Sequence, residues 1–229
     1  MSSALTIRAV LFDLDGTLAD TAPDLIAAVN RVRVEDGGAA LPDAALRPLV
    51  SKGGRALLAR AFPERSESER ESLLPRFLQA YGEALAVQTR PFEGIEALLS
   101  DIEARGWPWG IVTNKPEGLA RGVVAGLNWS ARSQALVGGD TLPVRKPAPE
   151  PLWLAAKALG VPPGACLYVG DDARDIEAAQ AAGMPGIAAL WGYREPEEDP
   201  MSWPAVAHCV SPDALRAWLD VPHLQATSP

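Results

Sequence analysis

The feature that most constrains this chain is an apolar run that ends abruptly in acid. Residues 9–12 (Ala-Val-Leu-Phe) are all hydrophobic, as in a strand buried on both faces of a sheet, and Asp13 and Asp15 follow at once. Gly16 then allows the chain to turn at no steric cost. Such a strand places two carboxylates at the carboxyl edge of a sheet, where open α/β sheets bind ligands. Taken alone, the stretch is equally compatible with an ordinary polar turn.

Composition narrows the class of protein. The chain has 229 residues, 48% of them hydrophobic, and a net charge of −8, which argues against a general affinity for nucleic acid or an anionic membrane. Its two cysteines fit neither a metal-ligand spacing nor a disulfide framework. It shows neither a signal peptide nor an apolar run of the ~20 residues that span a membrane. We therefore predict a cytoplasmic protein, a monomer or homodimer, whose tail at 225–229 is frayed.

The order of apolar patterns predicts an α/β fold. Strands are expected at 7–12, 109–113, 134–137, 165–169 and 186–190, and helical periodicity fills the intervals between them. Strands that alternate with helices indicate a doubly wound parallel sheet. From residue 25 to about 90 the pattern predicts four helices and no strand. We therefore predict a Rossmann-like core of residues 1–20 and 91–229, and a helical cap of residues 21–90 inserted after the first strand.

Polar residues follow three of the predicted strands. They are Asp13 and Asp15, Thr113 and Asn114, and Asp171 and Asp172. Asp175 follows Asp171 at helical spacing, and Lys146 precedes a predicted helix. Carboxylates that meet at one edge repel each other unless they share protons or bind a divalent cation, and hard oxygen ligands suit Mg²⁺. We therefore predict a Mg²⁺ site between Asp13 and Asp171 that also attracts a phosphate group.

The remaining polar residues suit phosphoryl transfer. Thr113 and Asn114 can donate hydrogen bonds to phosphate oxygens, and Lys146 supplies positive charge opposite the metal. Asp13 is then free to attack phosphorus while Asp15 moves a proton, which gives an aspartyl-phosphate and divides the difficult step in two. Each residue alone also fits a plainer interpretation, such as a solvated lysine or a polar turn. Their order and shared edge favour the catalytic interpretation.

Four segments of the chain resemble the ordered motifs of the haloacid dehalogenase superfamily. They are 13–18 (DLDGTL), 112–114 (VTN), 146–147 (KP) and 170–175 (GDDARD). The resemblance covers nearly the whole chain, and the helical insert stands where that superfamily carries its first-type cap. It implies that Asp13 is the nucleophile and Asp15 the general acid/base, and that Thr113 and Lys146 bind phosphate.

The resemblance also implies how the metal is held. Mg²⁺ would be bound by Asp13, Asp171 and the backbone carbonyl of Asp15. Asp175 would support these ligands from outside, and we place Asp172 with it. The implied activity is a Mg²⁺-dependent phosphomonoester hydrolase that takes a small phosphorylated substrate.

Within the superfamily, two substrates remain open. Residues 13–24 are similar to phosphoglycolate phosphatases, which usually carry serine where this chain has Asp172. Residues 170–177, and residues 192–200 with Trp203, look closer to N-acetylmuramic acid 6-phosphate phosphatases. A sugar phosphomutase on the same fold would use the same nucleophile and would be distinguished by the absence of released phosphate. A dehalogenase would need neither the metal nor Asp15.

A loop between the predicted cap helices is the candidate for substrate selection. It contains Lys52, Gly53, Gly54 and Arg55. Two glycines permit close approach to a ligand, and the two bases can meet an anionic substrate. An ordinary turn with solvated bases is equally compatible. We predict that this loop closes over the site, excludes water and reads the leaving group.

Overall fold

The central strand of the sheet is β1 (Ala9–Phe12), and all four of its side chains are fully buried. In this computed structural model, which describes residues 6–220, β1 pairs in parallel with β4 (Trp109–Val112) and with β6 (Cys166–Gly170). The sheet continues to β5 (Ala135–Val137) beyond β4, and to β7 (Gly186–Ala189) and β8 (Ala207–Cys209) beyond β6. All of these pairings are parallel, which confirms the predicted fold class.

Helices cover both faces of this sheet. They are α5 (Ile95–Ala104), α6 (Glu117–Gly126), α7 (Glu150–Leu159), α8 (Ala173–Ala182) and α9 (Pro212–Leu219). Alternate residues of β1 belong to different layers, since Val10 and Phe12 pack in one hydrophobic cluster and Ala9 and Leu11 in another. The first cluster includes α5, α6 and α9, and the second includes α7 and α8. This is the arrangement of a doubly wound sheet.

Four helices and a 3₁₀ turn lie within residues 21–90, after the first strand of the sheet. They are α1 (Ala22–Glu35), α2 (Asp43–Leu46), the 3₁₀ turn (Arg47–Lys52), α3 (Gly54–Ala61) and α4 (Glu67–Gly82). Their apolar stripes, such as Leu57 and Leu58 on α3 and Phe77 on α4, are buried as the helical spacing predicts. One hydrophobic cluster runs from these helices to β1. The division into a core and a cap therefore stays a prediction, and its outer limits at 1 and 229 lie outside the described residues.

The chain leaves and re-enters the sheet unit through a short ribbon. β2 (Ala19–Asp20) pairs in antiparallel fashion with β3 (Arg90–Pro91). Beside it, the buried carboxylate of Asp24 accepts hydrogen bonds from the backbone N–H groups of Gln88 and Thr89 and from the Thr89 hydroxyl. These contacts fix the two crossings next to each other. The sequence analysis predicts no strand here, because two residues are too few to show a period.

The described part of the chain contains no helix that is long and apolar enough to cross a bilayer. The frayed tail predicted at 225–229 lies outside the described residues.

Candidate active site

The loop after β1 brings its carboxylates against the loop after β6. The Asp13 N–H donates to the Val169 carbonyl at 2.9 Å and so extends the pairing of β1 with β6. Gly16 has a φ of +87°, and a Cβ at this position would overlap a carboxylate oxygen of Asp171. The glycine is therefore required twice, by its left-handed backbone and by the close approach of Asp171.

Asp171 is a buried carboxylate held by hydroxyl and backbone donors. Its Oδ1 accepts from the Thr17 hydroxyl at 2.9 Å. Its Oδ2 accepts from the Ser51 hydroxyl at 2.6 Å and from the Tyr193 N–H at 3.0 Å. Burial holds the pKa of Asp171 well above its ordinary value, and the nearby charge of Asp13 raises it further. No lysine or arginine of residues 6–220 contacts this carboxylate.

Lys146 is a buried cation shared by two carboxylates. Its Nζ lies 2.9 Å from Asp13 Oδ1 and donates to Asp175 Oδ1 at 2.7 Å. It also donates to the Val112 carbonyl and the Tyr168 hydroxyl. Burial acts to lower the pKa of Lys146, but the charges of Asp13 and Asp175 outweigh it and raise the pKa. The side chain is therefore a fixed positive charge at the carboxyl edge of the sheet.

Three buried carboxylates meet at this edge in a group that suits a divalent metal. One oxygen from each of Asp13, Asp171 and Asp175 lies within 4.8 Å of the others. Burial raises the pKa of Asp13 to about 6 although Lys146 lowers it. Asp13 Oδ1 is buried, and Lys146 is the one cation of residues 6–220 in contact with it. Three acids with one lysine leave excess negative charge, and carboxylate oxygens suit a hard divalent cation.

Asp175 already uses both of its carboxylate oxygens. Oδ1 accepts from Lys146, and Oδ2 accepts from the N–H of Asp172 at 3.0 Å. Asp175 stands in the first turn of α8, and a Cβ at Gly170 would overlap its side chain. This side chain therefore connects the start of α8 to Lys146.

The Asp15 carboxylate is held by three hydrogen bonds from residues outside this cluster. Its Oδ1 accepts from the Thr21 hydroxyl at 2.6 Å and from Lys115 Nζ at 2.9 Å, and its Oδ2 accepts from Lys115 at 3.1 Å. Burial acts to lower the pKa of Lys115, but Asp15 and Tyr81 outweigh it and raise the pKa. The sequence analysis assigned no role to Lys115. The only available signal was its position directly after Thr113 and Asn114.

Thr113 and Asn114 follow β4 and line the same cavity as Asp13. Thr113 is buried, and its hydroxyl accepts from the Lys115 N–H at 3.3 Å. The Asn114 amide donates to the Lys146 carbonyl and accepts from the Lys146 N–H, both at 3.0 Å. The side chain of Asn114 therefore holds the Lys146 segment in place, a use that the sequence did not indicate.

Asp172 is the N-cap residue of α8, and it also binds the loop between the inserted helices. Its Oδ1 accepts from the Arg174 N–H at 3.0 Å, as an N-cap residue does. Its Oδ2 accepts from Lys52 Nζ at 2.8 Å, and Lys52 also pairs with Glu198. Burial raises the pKa of Asp172, but the bonds from Arg174 and Lys52 outweigh it and lower the pKa to about 2. Lys52 therefore connects the helical insert to the sheet unit.

The other three residues of the loop predicted to select the substrate, Gly53, Gly54 and Arg55, have different surroundings. The Arg55 side chain is 59% exposed and makes a two-bond ion pair with Glu71, although it also borders the cavity. Gly53 has a φ of +87° and open space around it. A Cβ at Gly54 would lie 2.6 Å from the Phe77 ring. Gly54 therefore serves the packing of α3 on α4, and both glycines also border the cavity.

A cavity of about 200 Å³ lies between these helices and the carboxyl edge of the sheet. Its polar side is formed by Asp13, Asp15, Thr113 and Lys115. Its opposite side is apolar and consists of Leu25, Leu57, Leu74, Phe77, Leu78 and Tyr81 from the inserted helices. Such a space can hold a phosphate at the acids and an organic group against the apolar wall.

The fold and the acids at the strand ends define a hydrolase of the haloacid dehalogenase type. The family model for "Haloacid dehalogenase-like hydrolase" matches residues 10–189, and the chain belongs to that family. The resemblance seen in the sequence is thereby confirmed.

Its relatives carry two substrate names. The chain is 54% identical over 198 residues to a phosphoglycolate phosphatase of Xanthomonas campestris pv. campestris, which covers 86% of this chain and 90% of that protein. It is 44% identical over 202 residues to an N-acetylmuramic acid 6-phosphate phosphatase of Pseudomonas aeruginosa, which covers 88% and 89%. The crystal structure of a predicted phosphoglycolate phosphatase from Haemophilus somnus superposes with a TM-score of 0.80 at 26% identity, and covers 93% of this chain and 98% of that one.

Proposed function

We propose that this chain is a Mg²⁺-dependent phosphomonoester hydrolase that works through an aspartyl-phosphate on Asp13. The observation that carries the proposal is the buried Asp13 carboxylate, which ends the central strand, lies 2.9 Å from Lys146 and belongs to a group of three acids. It is also supported by relatives that are named phosphatases and that match this chain over nearly their whole length.

The reaction divides into two phosphoryl transfers. A carboxylate oxygen of Asp13 attacks phosphorus, the bond from phosphorus to the leaving oxygen breaks, and Asp15 gives that oxygen a proton. Water then attacks phosphorus, Asp15 takes up a proton, and phosphate leaves Asp13 as a free carboxylate again. Thr113 and Lys146 bind the phosphoryl oxygens during both steps.

Mg²⁺ would be held by Asp13, Asp171 and the backbone carbonyl of Asp15. The Ser51 hydroxyl contacts both Asp171 Oδ2, at 2.6 Å, and the Asp15 carbonyl, at 3.3 Å, so these two oxygens face a common point. When bound, the ion supplies positive charge that offsets the repulsion between nucleophile and phosphate. Asp175 is occupied by Lys146 and by the Asp172 N–H, which supports a role outside the ligand set.

The helices of residues 21–90 act as a cap over a core of residues 1–20 and 91–229. Their apolar side chains form one wall of the cavity, and the chain crosses between the two parts at the β2–β3 ribbon. Lys52 holds the cap to Asp172. Arg55 borders the cavity and can meet an anionic substrate once it leaves Glu71.

The substrate of first choice is 2-phosphoglycolate, and N-acetylmuramic acid 6-phosphate is the alternative. Relatives at 50–54% identity carry the first name, and relatives at 42–44% carry the second. The apolar wall favours the amino sugar phosphate, because this larger compound has carbon atoms to place against that wall and a two-carbon acid has few. The shape of the cavity and the degree of identity therefore point to different substrates.

A phosphate-release assay on both compounds and on glucose 6-phosphate, with Mg²⁺ or with excess chelator, tests the proposal. We expect Mg²⁺-dependent release of phosphate, with one of the first two compounds preferred in kcat/KM. No release from any of them would contradict the hydrolase. Conversion of glucose 6-phosphate to an isomer without free phosphate would indicate a mutase.

A further inference from the structure

Lys115 is a buried cation in the cavity to which the reaction above gives no task. Its side chain is 4% exposed, and its ammonium donates to both oxygens of the Asp15 carboxylate, at 2.9 and 3.1 Å. The ring of Tyr81 also lies against its Nζ, with the ring centroid 4.4 Å away. Tyr81 stands on α4, in the inserted helices.

We propose that Lys115 is a positioning residue that fixes the Asp15 carboxylate for proton transfer to the leaving oxygen, and that the Tyr81 ring holds Lys115 in this place. The inference rests on the proposed function and deepens it, because it assigns a support to the general acid. It also makes that support depend on the position of the cap.

Lys115 restrains the Asp15 carboxylate in a way that Thr21 alone does not. A carboxylate in a glycine-containing loop can rotate about its side-chain bonds, and a general acid must lie within hydrogen-bond reach of its target. Thr21 holds Oδ1 at 2.6 Å, and this single bond leaves Oδ2 free to turn. Lys115 holds both oxygens and thereby fixes the plane of the carboxylate. Bonds between charged partners are the stronger ones for this purpose.

The Tyr81 ring connects Lys115 to the inserted helices. The residue is 1% exposed, and its hydroxyl has no hydrogen-bond partner within residues 6–220. The face of its ring lies against Lys115 and attracts a desolvated ammonium. Since α4 belongs to the inserted helices, movement of these helices away from the sheet would remove the ring from Lys115. Closure of the cap and orientation of Asp15 would thus be linked through one lysine.

The test compares leaving groups that differ in their need for a proton. Ethyl phosphate loses a strongly basic alkoxide and needs the acid, whereas p-nitrophenyl phosphate loses a stable phenolate and does not. Neither has a second anionic group that Lys115 could bind directly. We expect Lys115→Met to lower kcat/KM for ethyl phosphate by about 30-fold or more, and for p-nitrophenyl phosphate by less than about 3-fold. Equal losses on both substrates would overturn the proposal.

Matched variants separate positioning from general damage. Lys157→Met removes an exposed cation of α7 that bonds neither to Asp15 nor to the inserted helices in residues 6–220, so the ratio of the two kcat/KM values should stay unchanged. Tyr81→Phe keeps the ring and should also leave the ratio unchanged. Tyr81→Leu removes the ring and should shift the ratio in the direction of Lys115→Met, and it tests the same link if Lys115→Met does not fold. An unchanged ratio in Tyr81→Leu would contradict the link to the cap.

A double-mutant cycle decides whether Lys115 works through Asp15. If it does, Lys115→Met should cause no further loss on ethyl phosphate in an Asp15→Asn background. An additional loss of the full size would show that Lys115 acts independently and would overturn the proposal. Asp15→Asn alone must already discriminate between the two substrates. If it does not, the assignment of Asp15 as general acid is wrong, and this outcome is separate from the outcome for Lys115.

Discussion

Lys146 and Asp13 form a buried ion pair in which Nζ and Oδ1 lie 2.9 Å apart. The same ammonium serves Asp175 at 2.7 Å, so one lysine balances two acids. Asp171, the third acid, contacts only hydroxyl and backbone donors within residues 6–220. The unbalanced charge is therefore on the Asp171 side of the site, and we infer that a metal ion offsets it there.

Removal of the shared lysine should damage both stability and activity. Lys146→Met leaves the buried carboxylates of Asp13 and Asp175 without their cationic partner, which should lower the free energy of unfolding by about 3–5 kcal/mol. Loss of the charge that faces the phosphoryl group should lower kcat by about 10²-fold or more. Denaturant unfolding and a phosphate-release assay measure the two effects.

Lys157 on α7 is exposed and forms no ion pair in residues 6–220, so Lys157→Met should change stability by less than about 0.5 kcal/mol. An unfolding midpoint of Lys146→Met equal to that of the unchanged protein would contradict the assignment.

Two glycines with nearly the same backbone provide a matched pair. Gly16 has a φ of +87° and meets Asp171 and Ser51, whereas Gly37 has a φ of +84° and no atom within 4 Å of an added Cβ. Gly37→Ala should therefore cost only the left-handed strain of about 1–2 kcal/mol and leave kcat/KM unchanged. Gly16→Ala should carry the same strain and also displace Asp171, so that the Mg²⁺ requirement rises by about 10-fold or more. Unaltered Mg²⁺ dependence in Gly16→Ala would contradict the placement of the metal.

The Ser51 hydroxyl should compete with the metal. It points a proton toward both Asp171 Oδ2 and the Asp15 carbonyl, and it has to turn away when a cation binds between them. Chelation should abolish activity, and Mg²⁺ should restore it. Ser51→Ala should lower the Mg²⁺ concentration for half-maximal rate by up to about 5-fold, which is the worth of one hydrogen bond. Ser72→Ala, on the exposed face of α4, should leave it unchanged. A higher Mg²⁺ requirement in Ser51→Ala would mean that the hydroxyl assists binding.

Four of the strands that were predicted correctly, β1, β4, β6 and β7, are buried throughout, and β5 at one edge was predicted from its apolar run at 134–137. The runs that became β1, β4 and β6 are continuously apolar, which marks central parallel strands without any knowledge of their neighbours. β8 lies at the edge of the sheet and has only three residues, of which two are half-buried. β2 and β3 have two residues each. Each of these three segments also contains a polar or charged residue, so none of them forms an apolar run from which a strand could be predicted.

The placement of the acids and Lys146 at one edge of the sheet could be predicted from the sequence, because the carboxyl ends of parallel strands meet there. It could not show which side chains reach across from distant segments. Lys115 meets Asp15 over a separation of 100 residues, and Ser51 meets Asp171 over 120. Such contacts depend on how the inserted helices lie over the sheet. The spacing of residues along the chain does not indicate that arrangement. For the same reason the contact between Lys52 and Asp172 could be recognised only in the folded structure.

The covalent role of Asp13 can be tested most directly by locating the phosphoryl group. In the Asp15→Asn protein, p-nitrophenyl phosphate should still transfer its phosphoryl group, while the missing base slows hydrolysis, so that the intermediate accumulates. The measurement is peptide mass spectrometry after acid quench during turnover. We predict one phosphoryl group on the peptide that contains Asp13, and none when Asp13→Asn is added. A phosphoryl group on another residue, or substantial phosphate release by Asp13→Asn alone, would contradict the mechanism.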